Sequence, residues 1–251
     1  MSYDDLLQKK VDSYNASVGD HEGVDCHACK NKGFIAVIKK SIEYMRVCEC
    51  MSSRAVDKKA ESSGISSHLK KCTFESFKVE NGWQLHAKNT AKNFVKLYPH
   101  SKWLYMGGQV GAGKTHLCVA VVNKLMKMTK TSRYMLWRDD STQLKALANN
   151  ADLYLTNIEP LKKAEILYID DLFKSEEGAT PTEADIKLAH EILNYRYINR
   201  HLVTIISSEL FIDDLIDIDQ AIGSRVYEMS KPDFKVQIGF SREKNYRLRA
   251  V

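Results

Sequence analysis

One glycine-rich segment of the chain has the residue types and spacing that suit phosphate binding. It reads Gly-Gln-Val-Gly-Ala-Gly-Lys-Thr over residues 108–115 and follows the apolar run from Trp103 to Met106. Glycines after a strand let the backbone curve closely around phosphate oxygens, and the next helix begins with unpaired N–H groups. Lys114 would reach the β- and γ-phosphates, and the Thr115 hydroxyl would bind Mg²⁺. The segment predicts a P-loop with these nucleotide-binding residues: Gly108, Gly111, Ala112, Gly113, Lys114, Thr115 and His116.

A second candidate element is the apolar run 165–169, which ends in Asp170 and Asp171. Carboxylates at the carboxyl end of a central parallel strand face the phosphate site across the sheet. We expect Asp170 to hold Mg²⁺ together with Thr115, and Asp171 to orient and deprotonate the attacking water. A turn or a helix cap is the alternative for two such acids, but their position after a P-loop favours catalysis.

Four of the six cysteines lie close together in the sequence, as two tight pairs: Cys26 with Cys29, and Cys48 with Cys50. The alternating residues 34–38 between the pairs predict a hairpin that would bring the pairs onto one tetrahedral Zn²⁺. A redox dithiol is disfavoured because it needs no second pair. The Cys48-x-Cys50 spacing is tight, so replacement of one ligand by His21 or His27 stays open.

Length, composition and charge indicate an ordinary soluble protein of 251 residues with a net charge of +5. There is no apolar run of about 18 residues, and the acidic N-terminus is unlike a signal peptide, so we expect a cytoplasmic protein with no membrane partner. The charge is uneven, since residues 71–164 hold 15 Lys and Arg against 6 Asp and Glu. This excess suits a nucleotide and a nucleic-acid backbone, although a solvated surface is its commoner meaning.

The apolar periodicity places the motifs in an α/β protein with a parallel sheet covered on both faces. Helical or amphipathic segments are predicted over 3–16, 82–98, 115–128, 141–163, 182–200 and 211–218. Strands are predicted over the hairpin, 103–106, 134–137, 165–170, 202–208, 234–240 and 246–249. The predicted domains are an N-terminal helix and zinc-binding domain over 1–52, a linker over 53–71 and an ATPase domain over 72–251.

Together the motifs resemble the AAA+ helicase loaders of the DnaC/DnaI type, which occur in bacteria and phages. The resemblance covers nearly the whole chain and rests on the cysteine pairs and on residues 73–77, 113–116, 169–172, 195–197, 204–208 and 223–225. It implies a P-loop ATPase without a helical lid domain, preceded by a small zinc-binding domain. The implied cofactors are ATP or ADP, Mg²⁺ and Zn²⁺.

The resemblance also implies roles for two further residues. Arg225 would act in trans, completing the site of a neighbouring subunit. The alternative is a surface arginine paired with Glu228 or Asp219. Ser208 would contact the γ-phosphate, but many members have Thr-Ser-Asn where this chain has Ser-Ser-Glu over 207–209.

Other features of the chain bear on how the ATPase would work. The second aspartate of the acidic pair is shorter than the glutamate of many AAA+ ATPases, which suggests slow hydrolysis suited to a switch. Because the chain ends soon after the Gly-Ser-Arg element, three later arginines are poor candidates for a lid-borne sensor: Arg242, Arg247 and Arg249.

The implied function is a self-associating ATPase that binds the replicative hexameric DNA helicase and delivers it to single-stranded DNA. A transposition helper ATPase, a zinc-headed unfoldase and an adaptor without hydrolysis are the alternatives. The zinc module favours the loader over the helper, the absence of an aromatic-Gly pore loop after residue 137 disfavours the unfoldase, and the intact nucleotide motifs disfavour the adaptor. Charge alone suggests these DNA-contacting residues: Lys124, Lys127, Lys130, Arg133 and Lys145.

Overall fold

The computed structural model describes residues 3–20, 25–48, 50–51, 71–129, 131–174, 180–230 and 233–248. The chain divides into two units, Met1–Lys59 and Ala60–Val251. Most of the predicted linker, the alternative zinc ligand His21 and the basic residue Lys130 lie outside the described residues. None of the helices in the described ranges is long and apolar enough to cross a membrane.

The N-terminal unit contains one helix and one β-hairpin. Helix α1 spans Tyr3–Ala16, and the antiparallel strands β1 and β2 span Phe34–Lys39 and Ile42–Val47. The side-chain amide of Asn15 pairs with the backbone of Ala36, accepting from its N–H at 3.0 Å and donating to its carbonyl at 2.9 Å. Because the Asn15 side chain satisfies both backbone groups of Ala36, it fixes α1 to the hairpin.

The C-terminal unit contains a five-stranded sheet and seven α-helices among its described residues. Its strands are β3 (Trp103–Gly108), β4 (Ser132–Leu136), β5 (Ile166–Asp170), β6 (Val203–Ser207) and β7 (Lys235–Ile238). Its helices are α2 (Gly82–Lys96), α3 (Lys114–Leu125), α4 (Trp137–Ala146), α5 (Ala151–Lys163), α6 (Glu183–Ile198), α7 (Ile212–Ile218) and α8 (Gln220–Met229). The strand order is β4-β5-β6-β3-β7 and every neighbouring pair is parallel, which confirms the α/β fold.

The sheet is buried on both faces because its side chains alternate between two apolar clusters. In β3, Leu104 and Met106 join α2 and α3 on one face. Trp103 and Tyr105 point to the other face, where they pack with residues of α4 to α8. Strands covered on both sides read as continuous apolar runs, which is why the sequence reveals the central strands clearly.

Two segments predicted as strands contain residues that form helix in the structure. Trp137 begins α4 instead of ending β4, and the Asp140 carboxylate within the helix accepts the N–H of the preceding residue, Leu136, at 2.7 Å. The predicted strand over 246–249 is wrong, since Tyr246–Leu248 form a 3₁₀ helix, preceded by another at Arg242–Lys244. These helices dock on the P-loop, where the Tyr246 N–H donates to the Gly111 carbonyl at 3.0 Å.

A buried arginine joins three elements of the C-terminal unit. Arg196 of α6 is fully buried, and its guanidinium donates to the Thr204 hydroxyl and the Val203 carbonyl of β6. It also donates to the carbonyls of residues 161, 162 and 164 around the end of α5. Burial lowers the pKa of Arg196 to about 9, so the side chain is still charged at neutral pH. Its partners are neutral groups, several of them on the negative end of the α5 helix dipole.

Candidate nucleotide site and four-cysteine cluster

The P-loop runs from the end of β3 to the start of α3 and depends on glycine at two crowded positions. Gly111 and Gly113 have φ values of 69° and 85°, in the left-handed region that other residues rarely adopt. A Cβ at Gly113 would lie 2.7 Å from the Phe77 ring, and one at Gly111 would lie 2.0 Å from the Asn245 side chain. The loop is therefore packed against residues from both ends of the C-terminal unit.

Lys114, the P-loop lysine, lies inside the loop. Its ammonium donates to the carbonyls of Gly108 at 2.7 Å and Gln109 at 2.8 Å, and the residue is buried. Burial lowers the pKa of Lys114, while the charges of Asp171 and Glu209 oppose that shift. Both acids line the same cavity as this lysine.

Asp170 is buried at the end of β5 and accepts hydrogen bonds from four hydroxyl groups. The Thr115 hydroxyl lies 2.9 Å from its carboxylate. The other donors are Tyr134 at 3.0 Å, Tyr168 at 2.6 Å and Ser207 at 2.5 Å. Hydroxyl and carboxylate oxygens are ligands that Mg²⁺ accepts, so the adjacent Thr115 and Asp170 fit the predicted magnesium site.

Asp171 follows with a left-handed backbone, at a φ of 56°. Its carboxylate pairs with Lys174 at 3.2 Å, and Lys174 also pairs with Glu209 at 2.5 Å. Burial, followed by the neighbouring charge of Asp170, raises the pKa of Asp171. A carboxylate with a raised pKa is a better proton acceptor than an ordinary one, which suits its predicted role as a base.

A cavity of about 590 Å³ brings these residues together. Besides the P-loop, its lining includes both aspartates, Lys174, Glu209, the segment around Phe77, Tyr246 and Arg247. His116 lines it too, with its ring Nε2 lying 2.8 Å from the Thr73 carbonyl and 3.1 Å from the Ser76 hydroxyl. The volume lies in the range of small-molecule sites and is large enough for a nucleotide.

Four predicted site residues do not line this cavity: Gly108 and Ala112 of the P-loop, Ser208 and Arg225. The Ser208 hydroxyl is buried and donates to the Leu172 carbonyl at 2.8 Å, so its predicted γ-phosphate contact has no supporting geometry. Arg225 instead places its guanidinium 5.4 Å from the centre of the Tyr197 ring. Its Nη1 is buried without a hydrogen-bond partner among the described residues.

The predicted alternative partners of Arg225 are engaged elsewhere. Glu228 forms an ion pair with Arg200 at 3.0 Å, and Asp219 caps α8 by accepting the N–H of Ile222 at 2.8 Å. Neither forms an ion pair with Arg225 in the described part of the chain. Its action in trans stays a prediction.

Several residues of the site were not found from the sequence. Tyr134 and Tyr168 are directly opposed in the β4–β5 ladder and share one face, which brings both hydroxyls to Asp170. Ser207, and not Ser208, reaches the same carboxylate. The only sequence signal is a tyrosine just before the end of each strand, and it has meaning only once the register is known.

The four cysteines of the N-terminal unit converge, and their sulfur atoms all lie within 4.8 Å of one another. Cys26 and Cys48 are 3.7 Å apart, and Cys29 and Cys50 are 3.5 Å apart. Zn–S bonds of about 2.3 Å in a tetrahedron require sulfur separations of about 3.8 Å. The donor set and its spacing therefore fit a structural zinc ion.

The environment of Cys29 favours the thiolate that a metal requires. Burial opposes the charge, but the Gly33 N–H at 3.3 Å and the neighbouring thiols outweigh it and lower the pKa of Cys29 to about 6. His27, the predicted alternative ligand within the described residues, is not part of the cluster of candidate ligands. The cluster consists of the four predicted cysteines.

The five-stranded parallel sheet, with the P-loop between β3 and α3, is like that of an AAA+ domain. The sequence is 33% identical to the phage-like element PBSX protein XkdC of Bacillus subtilis strain 168 over 241 residues, covering 92% of this chain and 89% of XkdC. The chain therefore belongs to the family of DnaC/DnaI-like AAA+ helicase-loader homologues that includes XkdC. Membership of that family suggests ATPase activity.

More distant similarities agree with this assignment. The replicative helicase loader DnaC of Escherichia coli K12 is 26% identical over 112 residues, which cover 44% of this chain and 46% of DnaC. The crystal structure of the DnaC helicase loader matches 69% of this chain and 99% of its own with a TM-score of 0.57 and 22% identity. The replication initiator DnaA, bound to AMPPCP and single-stranded DNA, matches 68% of this chain and 50% of its own with a TM-score of 0.55 and 22% identity. The two structural matches show the fold, and no protein-family model matches the sequence.

We predict that Gly113→Ala lowers nucleotide affinity at least about tenfold, because alanine is strained at a positive φ and would collide with Phe77. Gly82→Ala is the matched control, since a Cβ there meets nothing within 4 Å. Titration with a fluorescent ATP analogue and thermal denaturation of both variants provide the measurements. Equal affinity in the two variants would contradict the packing role given to Gly113.

Proposed function

We propose that the protein is an ATP-dependent loader that binds the replicative hexameric DNA helicase and delivers it to single-stranded DNA during replication initiation. The observation that carries this proposal is the joining of a four-cysteine unit to an AAA+ unit that resembles DnaC and has a complete P-loop and acidic strand. DnaC is itself a replicative helicase loader. A transposition helper would share the ATPase core, but the cysteine unit favours the loader.

In the proposed reaction the P-loop binds the phosphates of ATP, with Lys114 near the γ-phosphate. Thr115 and Asp170 would hold Mg²⁺, which would supply positive charge beside the phosphates. Asp171 would accept the proton of the attacking water. Its pairing with Lys174 must loosen before it can do so, which agrees with slow hydrolysis in a switch.

The N-terminal unit is the proposed helicase-binding part. Its described residues expose several large apolar side chains: Tyr3, Leu6, Phe34, Ile42, Tyr44, Met45 and Val47. Exposed apolar groups concentrated on a small unit are typical of a protein–protein interface. Zn²⁺ bound by the four cysteines would hold this unit together, because few of its apolar side chains are buried.

Single-stranded DNA is the second proposed partner, bound through its phosphates with little sequence preference. Of the candidate residues, Lys145 is paired with Asp185 at 2.6 Å, and Lys124 lies 3.9 Å from Glu75. The Arg133 side chain donates to the Ser132 carbonyl. Lys127 is exposed and, unlike these three residues, has no such contact to another described residue.

The proposed function predicts that the cognate replicative helicase co-purifies with the full-length protein. The double change Ile42→Asp with Val47→Asp should abolish this association, because both side chains are exposed on the hairpin. The matched control is Leu153→Asp with Leu155→Asp, two exposed leucines of the ATPase unit. The measurement is repeated with and without ATP.

Helicase binding by a chain comprising residues 72–251 would show that the N-terminal unit is not the helicase-binding part. Capture of a transposase in place of the helicase would support the helper function instead.

A mixing experiment tests the trans role of Arg225. Arg225→Ala should bind ATP but hydrolyse it slowly, with a loss of roughly 10³-fold or more if the arginine stabilises the transferring phosphoryl group. Lys114→Ala subunits cannot bind ATP productively but retain Arg225. Mixing the two inactive variants should restore part of the ATPase rate. Failure of the mixture to exceed the sum of its parts would count against an arginine acting across an interface.

The zinc assignment predicts about one zinc ion per chain by metal analysis of purified protein. Cys29→Ser should lose the metal and expose the N-terminal unit to hydrogen exchange, because one of the four ligands is removed. Cys72→Ser, a cysteine outside the cluster, should retain it. Purified wild-type protein without zinc would contradict the zinc assignment.

A further inference from the structure

A lysine beside the nucleotide cavity pairs with the acid assigned to the attacking water but has no assigned contact with the nucleotide. Lys174 lines the cavity together with Lys114, Asp171 and Glu209. Its ammonium lies 3.2 Å from the Asp171 carboxylate and 2.5 Å from the Glu209 carboxylate. The side chain is 32% exposed, so it is accessible from the cavity. It is thus a cation of the cavity in addition to the P-loop lysine, Lys78 and Arg247.

The backbone that carries Lys174 is firmly held. Asp171 and Phe173 both have left-handed φ values, of 56° and 60°, which are costly for residues other than glycine. Three hydrogen bonds fasten this turn to the end of β6: Asp171 N–H to Ser207 Oγ, Leu172 N–H to the Ser207 carbonyl, and Ser208 Oγ to the Leu172 carbonyl. The buried side chains of Leu172 and Phe173 pack in the apolar cluster that covers one face of the sheet and hold the turn in place. A turn fixed in this way gives the lysine a defined position.

Electrostatics explain why a cation is needed at this place. Asp171 and Glu209 are both acidic and both line the cavity, so they would repel a terminal phosphate. Lys174 lies between them and compensates their charge. Burial opposes the charge of Lys174, but the bonds and charges of Glu209 and Asp171 outweigh it and raise its pKa. The lysine therefore stays charged at neutral pH.

We propose that Lys174, positioned by Glu209, contacts the terminal phosphate of a bound nucleoside triphosphate and makes the cavity prefer a triphosphate to a diphosphate. This inference rests on the proposed nucleotide binding. Lys114 is held within the P-loop by the carbonyls of Gly108 and Gln109 and belongs to the loop itself. Lys174 lies in the turn that follows β5, beside the acid assigned to the attacking water. Lys174 would therefore contact the terminal phosphate, which a triphosphate has and a diphosphate lacks.

The test compares the affinities of the variants for Mg²⁺-ADP and for a non-hydrolysable Mg²⁺-ATP analogue by calorimetric titration. Lys174→Met should weaken binding of the ATP analogue roughly 10- to 100-fold, as expected for loss of one charge-assisted hydrogen bond, and leave ADP binding unchanged. Lys174→Arg should retain most of the preference because it keeps the charge. Adding Glu209→Gln to Lys174→Met should recover part of the lost affinity, because it removes a carboxylate left without its partner.

Lys162→Met is the matched control, since Lys162 also bridges two carboxylates, those of Glu159 and Glu191, but does not line the cavity. It should leave the ratio of the two affinities at the wild-type value. If Lys174→Met keeps that ratio too, the inference is wrong while the proposed function stands. If the wild-type protein binds neither nucleotide, the result contradicts the proposed function itself, and the inference about Lys174 with it. Thermal denaturation checks folding, and Lys174→Gln replaces the methionine variant if that variant unfolds.

Discussion

The site depends on one physical constraint, the burial of the Asp170 carboxylate among apolar strands. An ionised carboxylate away from water is costly unless hydrogen-bond donors surround it. The four hydroxyl donors come from α3 and from three adjacent strands, β4, β5 and β6. This requirement fixes the P-loop helix relative to the sheet, so the predicted magnesium ligands Thr115 and Asp170 are adjacent without rearrangement of the strands. Such preorganisation is what electrostatic catalysis requires.

Local chemistry made the centre of the site predictable from the sequence, and strand register made its surroundings unpredictable. The P-loop, the acidic strand end and the cysteine pairs are short segments whose spacing has a direct chemical meaning. Tyr134 and Tyr168 belong to the site only because their strands pair with these residues opposed. Similarly, Ser207 and Ser208 are adjacent in sequence, yet strand alternation directs the Ser207 hydroxyl to Asp170 and the Ser208 hydroxyl to the Leu172 carbonyl.

Tertiary contacts also overruled local preference near the C-terminal end of the described chain. Residues 246–248 have the alternation of a strand but form a 3₁₀ helix against the P-loop, where the Tyr246 hydroxyl donates to the Lys78 carbonyl. The Gln84 amide in turn donates to that hydroxyl. As a result Arg247, which the sequence made a poor candidate for a sensor arginine, lines the cavity beside the P-loop. No pattern within the segment itself could indicate its docking partner.

The two units differ in how much apolar surface they bury. The C-terminal unit buries two large apolar clusters on opposite faces of its sheet, and the Arg196 side chain adds hydrogen bonds from α6 to α5 and β6. In the described N-terminal unit, the buried apolar residues are Val11, Ala36 and three of the four clustered cysteines. So small a core leaves most of the folding free energy of that unit to the cysteines and whatever metal they bind. The C-terminal unit is therefore stabilised mainly by apolar burial, and the described part of the N-terminal unit mainly by its cysteines.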